Sequence, residues 1–436
     1  MKRMILLVLI LFLLVPLVVG QKEINSETVG YWIKAIHSPY FENFTGITVD
    51  QDKILVTGDT DLFAKTLTVQ EYQPFVFKLN KEGEILNTLC VLKNTGSYNL
   101  GPVIQGIIPT DDGYFIGGQD NEAVYILKTD KNLKVMWTKA FRLSLVRPNR
   151  LRIIEMIGVE KGIIMAVDFS FRGVWQTLLF KIDENGRILW KKVLLYSSET
   201  RFWPNAIKIF NNFVILVGNV CCKEKYPFIL KINPTDGKIE KSLILIIKGQ
   251  GGDIDLSDFE IAEDEIVIVG SISKVFEGDT RSFGFVSRLG FDDFKLRGFD
   301  VYKDAYEDKK SDLVFEEMSL IDDELIIIGE EMWGMEGYIL KFKNGEIEKA
   351  KVWDPTLGTG NNSMSWSSVY PFEGGYIFSS WSAIQEDSKI LPKEYPNDIV
   401  LAKVDKNLEI RGCQEFLKPR TIRKCNPIEI GDIEVK

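Results

Sequence analysis

The segment that decides the fold is residues 179–190, which read LFKIDENGRILW. It begins with an apolar, lysine, apolar triplet, continues into a turn rich in Asp, Asn and Gly, and ends in a second apolar stretch. Apolar runs on either side of an Asn-Gly turn are typical of a β-hairpin. The segment therefore predicts two antiparallel strands joined by a tight turn.

The same triplet occurs seven times along the chain, at intervals of about fifty to sixty residues. A fixed period of this length is typical of a propeller or another array of repeated units. Because the central basic residue repeats, we expect it to be structural, with its stem covering apolar surface and its charge in water. The seven central residues are Lys78, Lys128, Lys181, Lys231, Arg288, Lys341 and Lys403.

Each repeat contains four short β segments and no helical period of useful length. The second segment is a β-branched run that tends to end in Gly, as at residues 54–58 and 266–270. Such runs, bounded by turn residues, are typical of strands buried on both faces. Four antiparallel strands in about fifty residues make one propeller blade. The sequence thus predicts an all-β fold, a seven-bladed β-propeller with four antiparallel strands per blade.

The repeats extend through residues 30–417 without a linker, which predicts a single propeller domain. Residues 31–36 match the fourth strand of a blade and can close the ring, although residues 408–416 could serve as the fourth strand of the last repeat instead. The C-terminal tail, residues 418–436, is expected to pack outside the ring.

The N-terminus, residues 1–20, resembles a secretory signal peptide: Lys2 and Arg3 precede the apolar run 4–19, which ends at Gly20. An uncleaved membrane anchor is the alternative, because the run falls just under the roughly 17 to 25 residues that span a bilayer. We therefore expect an extracytoplasmic protein, secreted or on the cell surface, that touches a membrane only through residues 4–19.

The charge balance excludes one class of partner. The net charge is -9 and the isoelectric point is near 5.1. Nucleic-acid binding is driven by clustered Lys and Arg, and no basic stripe is visible in the sequence. We expect no nucleic-acid partner.

The sequence contains no complete catalytic motif. His37 is the single histidine, which excludes a site with several histidines. It follows directly after the predicted closing strand, where we expect a surface residue and no Ser-His-Asp relay. Asp253, Asp255 and Asp258 have the oxygen-rich, Gly-flanked pattern of a Ca²⁺ loop, but the distal Glu of such a loop is missing and a solvated acidic turn is the favoured interpretation. We expect no other cofactor.

Covalent features are predicted at a few positions. Two glycosylation sequons begin at Asn43 and Asn361. In an exported chain Cys413 and Cys425 are candidates for a disulfide that would hold the C-terminal tail, while Cys90 and the adjacent Cys221 and Cys222 leave several pairings open.

Five tryptophans fall outside the repeated positions, in connections or at strand ends. Loops at one face of a propeller commonly form its binding surface. We therefore predict an aromatic rim that stacks on sugars or anchors a protein partner, with packing between blades as the alternative. These residues are Trp175, Trp203, Trp333, Trp366 and Trp381.

The repeat resembles those of the delta-60 or PQQ-like β-propellers of exported archaeal and bacterial proteins, in DGYFIGG at residues 112–118 and in LFKIDENGRILW at residues 179–190. The resemblance implies the propeller fold over residues 30–417 and leaves activity undefined, because such folds carry unrelated functions. The adjacent cysteines are the one further feature shared with quinoproteins, and no set of cofactor ligands can be matched.

Three functions are compatible with these features. The leading hypothesis is an exported, non-enzymatic binding or scaffold protein of the cell surface that recognises a protein or a glycan through one face of the ring. The first alternative is a carbohydrate-active hydrolase or lyase that uses acidic residues at the propeller mouth. The second alternative is a structural envelope protein.

Overall fold

The computed structural model confirms an all-β ring. No helix that could cross a membrane occurs in the described part of the chain, where all regular structure is β-strand. The structure describes residues 32–36, 42–60, 73–90, 103–119, 123–142, 150–171, 174–194, 201–221, 225–248, 253–276, 279–304, 313–321, 323–331, 337–343, 345–353, 363–383, 397–409, 417–419, 422–424 and 432–435.

Seven antiparallel sheets form the seven blades, and each blade has its first strand innermost and its fourth strand outermost. The first strands of neighbouring blades contact one another around the whole ring, from the first blade to the seventh and back. The four strands of each blade, in order from inside to outside, are as follows: blade 1, β2 (Glu42–Asp50), β3 (Lys53–Thr60), β4 (Gln73–Leu79) and β5 (Ile85–Cys90); blade 2, β6 (Val103–Thr110), β7 (Gly113–Gln119), β8 (Ala123–Asp130) and β9 (Val135–Arg142); blade 3, β10 (Arg150–Val159), β11 (Gly162–Phe171), β12 (Val174–Asp183) and β13 (Ile188–Leu194); blade 4, β14 (Arg201–Phe210), β15 (Phe213–Cys221), β16 (Lys225–Ile232) and β17 (Ile239–Lys248); blade 5, β18 (Ile254–Ala262), β19 (Glu265–Phe276), β20 (Asp279–Gly290) and β21 (Leu296–Asp304); blade 6, β22 (Leu313–Ile321), β23 (Glu324–Glu331), β24 (Gly337–Lys343) and β25 (Glu346–Trp353); blade 7, β26 (Ser363–Phe372), β27 (Gly375–Ala383), β28 (Asn397–Asp405) and β1 (Trp32–Ile36).

The second strand of each blade forms the core, as its continuous apolar run predicts. Ile163, Ile164 and Met165 in β11 are all fully buried although their side chains alternate between the two faces of the sheet. One face packs in a cluster that reaches Phe115 of blade 2, and the other packs in a cluster that reaches Leu216 of blade 4. Each sheet is therefore buried between its two neighbours.

The ring is closed by the N-terminal strand. β1 pairs antiparallel with β28, with Trp32 opposite Lys403 and Ile36 opposite Ile399. This confirms residues 31–36 as the source of the closing strand; residues 410–416, most of the alternative, lie outside the described residues. The first and last parts of the propeller therefore share one sheet, which closes the ring.

The C-terminal tail lies outside the ring and adds fifth strands to three blades. β29 (Leu417–Pro419) pairs with β25 of blade 6, β30 (Ile422–Lys424) with β21 of blade 5, and β31 (Asp432–Val435) with β17 of blade 4. The sequence predicts the external position of the tail but not this pairing.

The repeated lysines bond to the neighbouring blade, so the expectation that their charges reach water is wrong. The ammonium nitrogen of Lys78 donates to the carbonyl of Lys131 at 2.7 Å, and that of Lys341 donates to the carbonyl of Lys406 at 2.9 Å. Both acceptors lie in the turn that follows the third strand of the next blade. These lysines are buried, and the turn carbonyl supplies the hydrogen bond that water would otherwise make.

The same bond joins other blades, with two exceptions. Lys181 donates to the carbonyl of Pro234 at 3.2 Å, and Lys231 lies 3.1 Å from the carboxylate of Asp292. Lys128 and Lys403 bond instead within their own blades, each at 2.5 Å, to the carboxylates of Asp112 and Glu373 respectively. In every case a carbonyl or carboxylate compensates the buried ammonium.

The tryptophans of the fourth strands pack on the turn of the next blade. A side chain on Gly237, whose φ is +71°, would meet the Trp190 ring, and one on Gly186, at φ +70°, would meet the Trp137 ring. The indole nitrogen of Trp190 also donates to the carbonyl of Pro234 at 3.0 Å. The Gly in the repeated turn is thus required by both its backbone and its neighbour.

We expect Lys78→Met to lower the free energy of unfolding by about 1.5 to 3 kcal/mol, because it removes a hydrogen bond made by a charged group and leaves the Lys131 carbonyl without it. Urea denaturation measures the change. Lys191→Met, on the exposed outer strand of blade 3, is the matched control and should change stability by less than about 0.5 kcal/mol. Equal effects of the two substitutions would contradict a role of the lysine in joining blades.

Candidate functional site

A β-bulge in every first strand directs side chains toward the propeller axis. Each of the seven pairings of first and second strand shifts register at the equivalent point. A bulge inserts one residue and re-aims the side chain beside it. The residues that follow the bulges differ from blade to blade, and they are Gly46, Gly106, Glu155, Ala206, Asp258, Glu317 and Ser368.

Three of these residues form a carboxyl cluster with Lys208. The backbone N–H of Met318 donates to Asp258 Oδ2 at 3.0 Å, and Lys208 Nζ lies 3.5 Å from Asp258 Oδ1 and 2.8 Å from Glu260 Oε1. The backbone of blade 7 likewise donates to Glu317 Oε1 at 3.2 Å. Bonds from one first strand to the next therefore hold the cluster, which comprises Glu155, Lys208, Asp258, Glu260 and Glu317.

The cluster shifts the pKa values of its members. Burial raises the pKa of Glu155 to about 7, and Asp258 adds to the shift while Lys208 opposes it. Burial and the nearby Asp258 also raise the pKa of Glu317 well above its ordinary value. Burial disfavours the charge of Lys208, but Asp258 and Glu260 outweigh it and raise the pKa of its ammonium. At neutral pH the cluster therefore retains protons on carboxyl groups.

A cavity of about 480 Å³ lies where the first strands of blades 3 to 6 begin. This volume is within the range of small-molecule sites, about 300 to 1,000 Å³. Its lining is mostly polar and carries both signs of charge. The lining groups that matter most are Arg152, Trp203, Asn219, Lys225, Asp255 and Glu316.

Two cations border the Trp203 ring. The guanidinium carbon of Arg201 lies 3.8 Å from the ring centroid, and Lys225 Nζ lies 5.4 Å from it. These distances are those of cation–π contacts. Lys225 is also paired with Asp255 at 2.6 Å, and Asp255 in turn accepts a hydrogen bond from the Asn219 amide at 2.5 Å. Blades 4 and 5 thus build one wall of the cavity together.

Asp168 lies behind this wall. It is 1% exposed, stands opposite Arg152 in the register of β10 and β11, and lies 3.9 Å from an Arg201 nitrogen. Thr177 Oγ1 donates to it at 2.5 Å. Burial raises the pKa of Asp168 to about 6, although the Thr177 bond and both arginines oppose the shift. Asp168 is therefore mostly charged at neutral pH, and its nearest cation is Arg201.

Glu316 borders the cavity on blade 6 and is paired with a second carboxyl group, Glu330. Burial, the charge of Glu330 and the hydrogen bond with it together raise the pKa of Glu316 to about 8. Burial also raises the pKa of Glu330, and the bond with Glu316 lowers it. The pair shares a proton near neutral pH, so that the cavity contains a carboxyl group able to donate a hydrogen.

The predicted aromatic residues are described to different extents. Trp203 lies at the cavity, as the rim hypothesis requires. Trp175, Trp366 and Trp381 lie in β12, β26 and β27 rather than in connecting loops, and their side chains are outside the described residues. Trp333 lies wholly outside them. The rim of five tryptophans stays a prediction.

The three predicted Ca²⁺ ligands have different surroundings. The acidic turn expected at these positions is largely strand β18, in which Asp255 faces the cavity and Asp258 the axial cluster. The carboxylate of Asp253 accepts a hydrogen bond from the Lys225 N–H at 3.2 Å. No group of three metal-ligating side chains is found within the described ranges.

The remaining sequence predictions fall mostly beyond the described residues. Cys90 and Cys221 are free thiols. Asn43 lies in β2, and nothing is described of its side chain. The other predicted positions outside the described residues are His37, Cys222, Asn361, Cys413 and Cys425.

Sequence reasoning missed most of the groups that form the site, including Arg152, Arg201, Lys208, Glu316 and Glu317. All five lie in first strands, which are the least uniform segments of the repeat. A signal was present: the position after the bulge is Gly, Ala or Ser in four repeats and a carboxylate in three. Aligning the repeats at the bulge, rather than at the lysine, would have revealed it.

Stability should fall between about pH 4.5 and 7, because Glu155 binds a proton in the folded protein that the unfolded chain, with a pKa near 4.5, releases. The contribution of Glu155, on the order of 3 kcal/mol, is present below this window and lost above it. Glu155→Gln should remove its share of the slope when unfolding is measured from pH 4 to 8. The control Glu82→Gln, in an exposed turn, should leave the profile unchanged; an unchanged profile for Glu155→Gln would refute the assignment.

Comparison with known proteins identifies the fold and no family. No protein-family model matches the chain, and no curated protein matches it in sequence. The resemblance to delta-60 or PQQ-like repeats is therefore supported only at the level of the propeller.

Solved structures similar to this chain include a polysaccharide lyase, Uly1, with a TM-score of 0.54 at 8% identity, covering 84% of this chain and 90% of that one. Semaphorin 2a of Drosophila gives 0.49 at 11% identity, over 88% and 80% of the two chains. A prolyl endopeptidase gives 0.47 at 10% identity, and the match spans 88% of this chain and about half, 49%, of that one. Of these three, the lyase bears on the fold, and it supports the propeller without showing activity.

Proposed function

We propose that the protein binds an acidic oligosaccharide in the cavity at the mouth of blades 3 to 6. The observation that carries the proposal is a polar cavity lined by both Arg152 and Trp203, with Arg201 stacked on the Trp203 ring. An aromatic ring offers a stacking surface for a sugar ring, and a guanidinium offers two parallel donors to a carboxylate.

The charges around the cavity favour an anionic group on the ligand. Lys225 is compensated by Asp255, and Asp168 is the carboxylate that faces both arginines. Arg152 is exposed and makes no ion pair with any residue that the structure describes. Its guanidinium is therefore available to a ligand carboxylate or sulfate, which it would bind through charge-assisted hydrogen bonds.

Other lining groups of the cavity are suited to hydroxyl groups. Ser257 and Ser271 line it with side chains that both donate and accept hydrogen bonds. Glu316 is protonated at neutral pH for part of the time and can donate to a hydroxyl or ring oxygen. A sugar acid has a carboxylate that Arg152 can bind and hydroxyl groups that the two serines and Glu316 can bind.

This proposal makes the leading sequence hypothesis specific: the partner is a glycan, and it binds at one face of the ring. Export, a position at the cell surface and membership among the delta-60 or PQQ-like propellers are part of the proposal. Their support is the N-terminal pattern of residues 1–20 and the repeat motif.

The carbohydrate-active enzyme is the second candidate, and Glu316 is the observation that favours it. A carboxyl group with a pKa near 8 can act as a general acid at neutral pH, and raised carboxyl pKa values are common where acid–base chemistry takes place. It shares the cavity with Arg152, which would neutralise the charge of the substrate.

Arg152→Gln should weaken binding of an oligogalacturonate by about ten- to a hundredfold, the loss expected for charge-assisted hydrogen bonds. Isothermal titration calorimetry measures this, with Trp203→Ala as a second variant that should also weaken binding. Lys192→Gln, on the outer strand of blade 3, is the matched control and should bind normally. The proposal fails if the wild-type protein does not bind the uronate, or binds a neutral galactose oligomer equally well.

If the protein also cleaves the oligosaccharide, Glu316→Gln should abolish turnover and leave binding within about twofold. Wild-type turnover should decline as the pH rises through about 8, since the acid must be protonated. New reducing ends and the ultraviolet absorbance of an unsaturated uronate report the two possible reactions. A wild-type protein that binds without either product is a binding protein and not an enzyme.

A further inference from the structure

The outer edges of the blades fall into two groups. Blades 4, 5 and 6 each carry a fifth strand from the C-terminal tail, and the fourth strand of blade 7 is the N-terminal β1. Within the described residues, the outer strands of blades 1 to 3 have no fifth strand; we call β5, β9 and β13 the uncovered edge. An unpaired outer strand presents a row of backbone donors and acceptors.

Exposed apolar side chains concentrate on this uncovered edge. Among the described residues, eight large hydrophobic side chains are exposed, and six of them lie on β5, β9 or β13. By contrast, Ile239 is the one such residue on the outer strands of blades 4 to 6. The six residues are Leu86, Val135, Met136, Ile188, Leu189 and Val193.

The uncovered edge is also basic on blades 2 and 3. β9 carries Lys139 and Arg142, β13 carries Lys191 and Lys192, and neither strand contains an acidic residue. None of these four side chains forms an ion pair with another described residue, and all four are exposed. The protein as a whole has a net charge of -9, so these two strands form a positively charged patch on an acidic protein.

The tail gives an example of a segment that pairs with an outer strand. β31 reads DIEV, alternating acidic and apolar residues, and its register places Asp432 opposite Lys248 and Glu434 opposite Ile246 of β17. In chain order the tail pairs with blades 6, 5 and 4, so the next outer strand along the ring is β13. β13 carries the same combination of apolar and basic residues.

We propose that β13 is a docking site for an extended segment of a partner protein in which apolar and acidic side chains alternate. The segment would add a fifth strand to blade 3, with backbone hydrogen bonds to the edge of β13. The pairing of β13 with β12 places Ile188 and Val193 on one face of the sheet and Lys192 on the other. The apolar side chains of the segment would cover Ile188 and Val193, and its carboxylates, on the opposite face, would pair with Lys192. Lysines on an edge disfavour pairing with purely apolar strands, so the same residues select for an acidic partner.

The test uses an acetylated eight-residue peptide of alternating Val and Glu, labelled for fluorescence anisotropy, with the full-length protein. We expect saturable binding that weakens with added salt. The double variant Lys191→Glu, Lys192→Glu should bind at least tenfold more weakly, whereas Lys295→Glu, in an exposed turn of blade 5, should bind normally. Because the substituted side chains are exposed, thermal melting should show all variants folded.

A second peptide separates strand pairing from charge attraction alone. Methylation of the amide nitrogens along one edge prevents that edge from pairing and leaves the charge unchanged. This peptide should not bind; equal binding of both peptides would overturn the proposal, as would absence of binding by the first. If sedimentation instead shows dimers that the double variant abolishes, the occupant is a second copy of this chain and the proposal is also overturned.

Discussion

The structure depends on the contact between each blade and the next. A four-stranded sheet of this composition is apolar on both faces and cannot be stable alone, so its second strand must be covered from two sides. Hydrophobic packing supplies the free energy of this contact but does not fix its geometry, because packing has little directionality. The hydrogen bonds from Lys78, Lys181, Lys341 and Trp190 to the turn of the following blade are directional, and they help to set the relative positions of those blades. The pairing of β1 with β28 then converts a row of blades into a closed ring.

The functional groups of the ring lie at positions whose residues differ from one repeat to the next. Near the axis, first strands from different blades approach one another and each bulge presents a single side chain. Small residues there leave space, whereas Glu155, Asp258 and Glu317 fill it with carboxyl groups that share their surroundings with Lys208. The mouth cavity follows the same principle, because all four blades from 3 to 6 contribute lining residues. A site of this kind exists only when the ring is closed, since no single blade contains it.

The outer surface follows a different rule. The fourth strand of a blade has no partner on its outer edge unless another segment pairs with it. In blades 4 to 6 the C-terminal tail pairs with that edge. Lysines on β9 and β13 keep the uncovered strands from pairing indiscriminately. The axial end of the propeller and its outer edge can therefore bind different partners at the same time.

Local sequence determined the blade count, the strands of the repeat and the turns, because all of these depend on hydrophobic periodicity and on turn residues such as Gly186 and Gly237. It also placed Trp203 in the set of candidate binding residues. It offered two candidates for the closing strand, and the structure decided between them. Only the tertiary structure decided the rest: which groups face the axis, that Lys78 bonds to the next blade, and that Arg152, Trp203 and Glu316 border one cavity. The three cavity residues come from three blades and are separated by up to more than 150 positions, so their proximity results from the packing of the blades in the ring and from the register shift at each bulge. Neither effect leaves a periodic pattern in the sequence, whereas the strands and turns do.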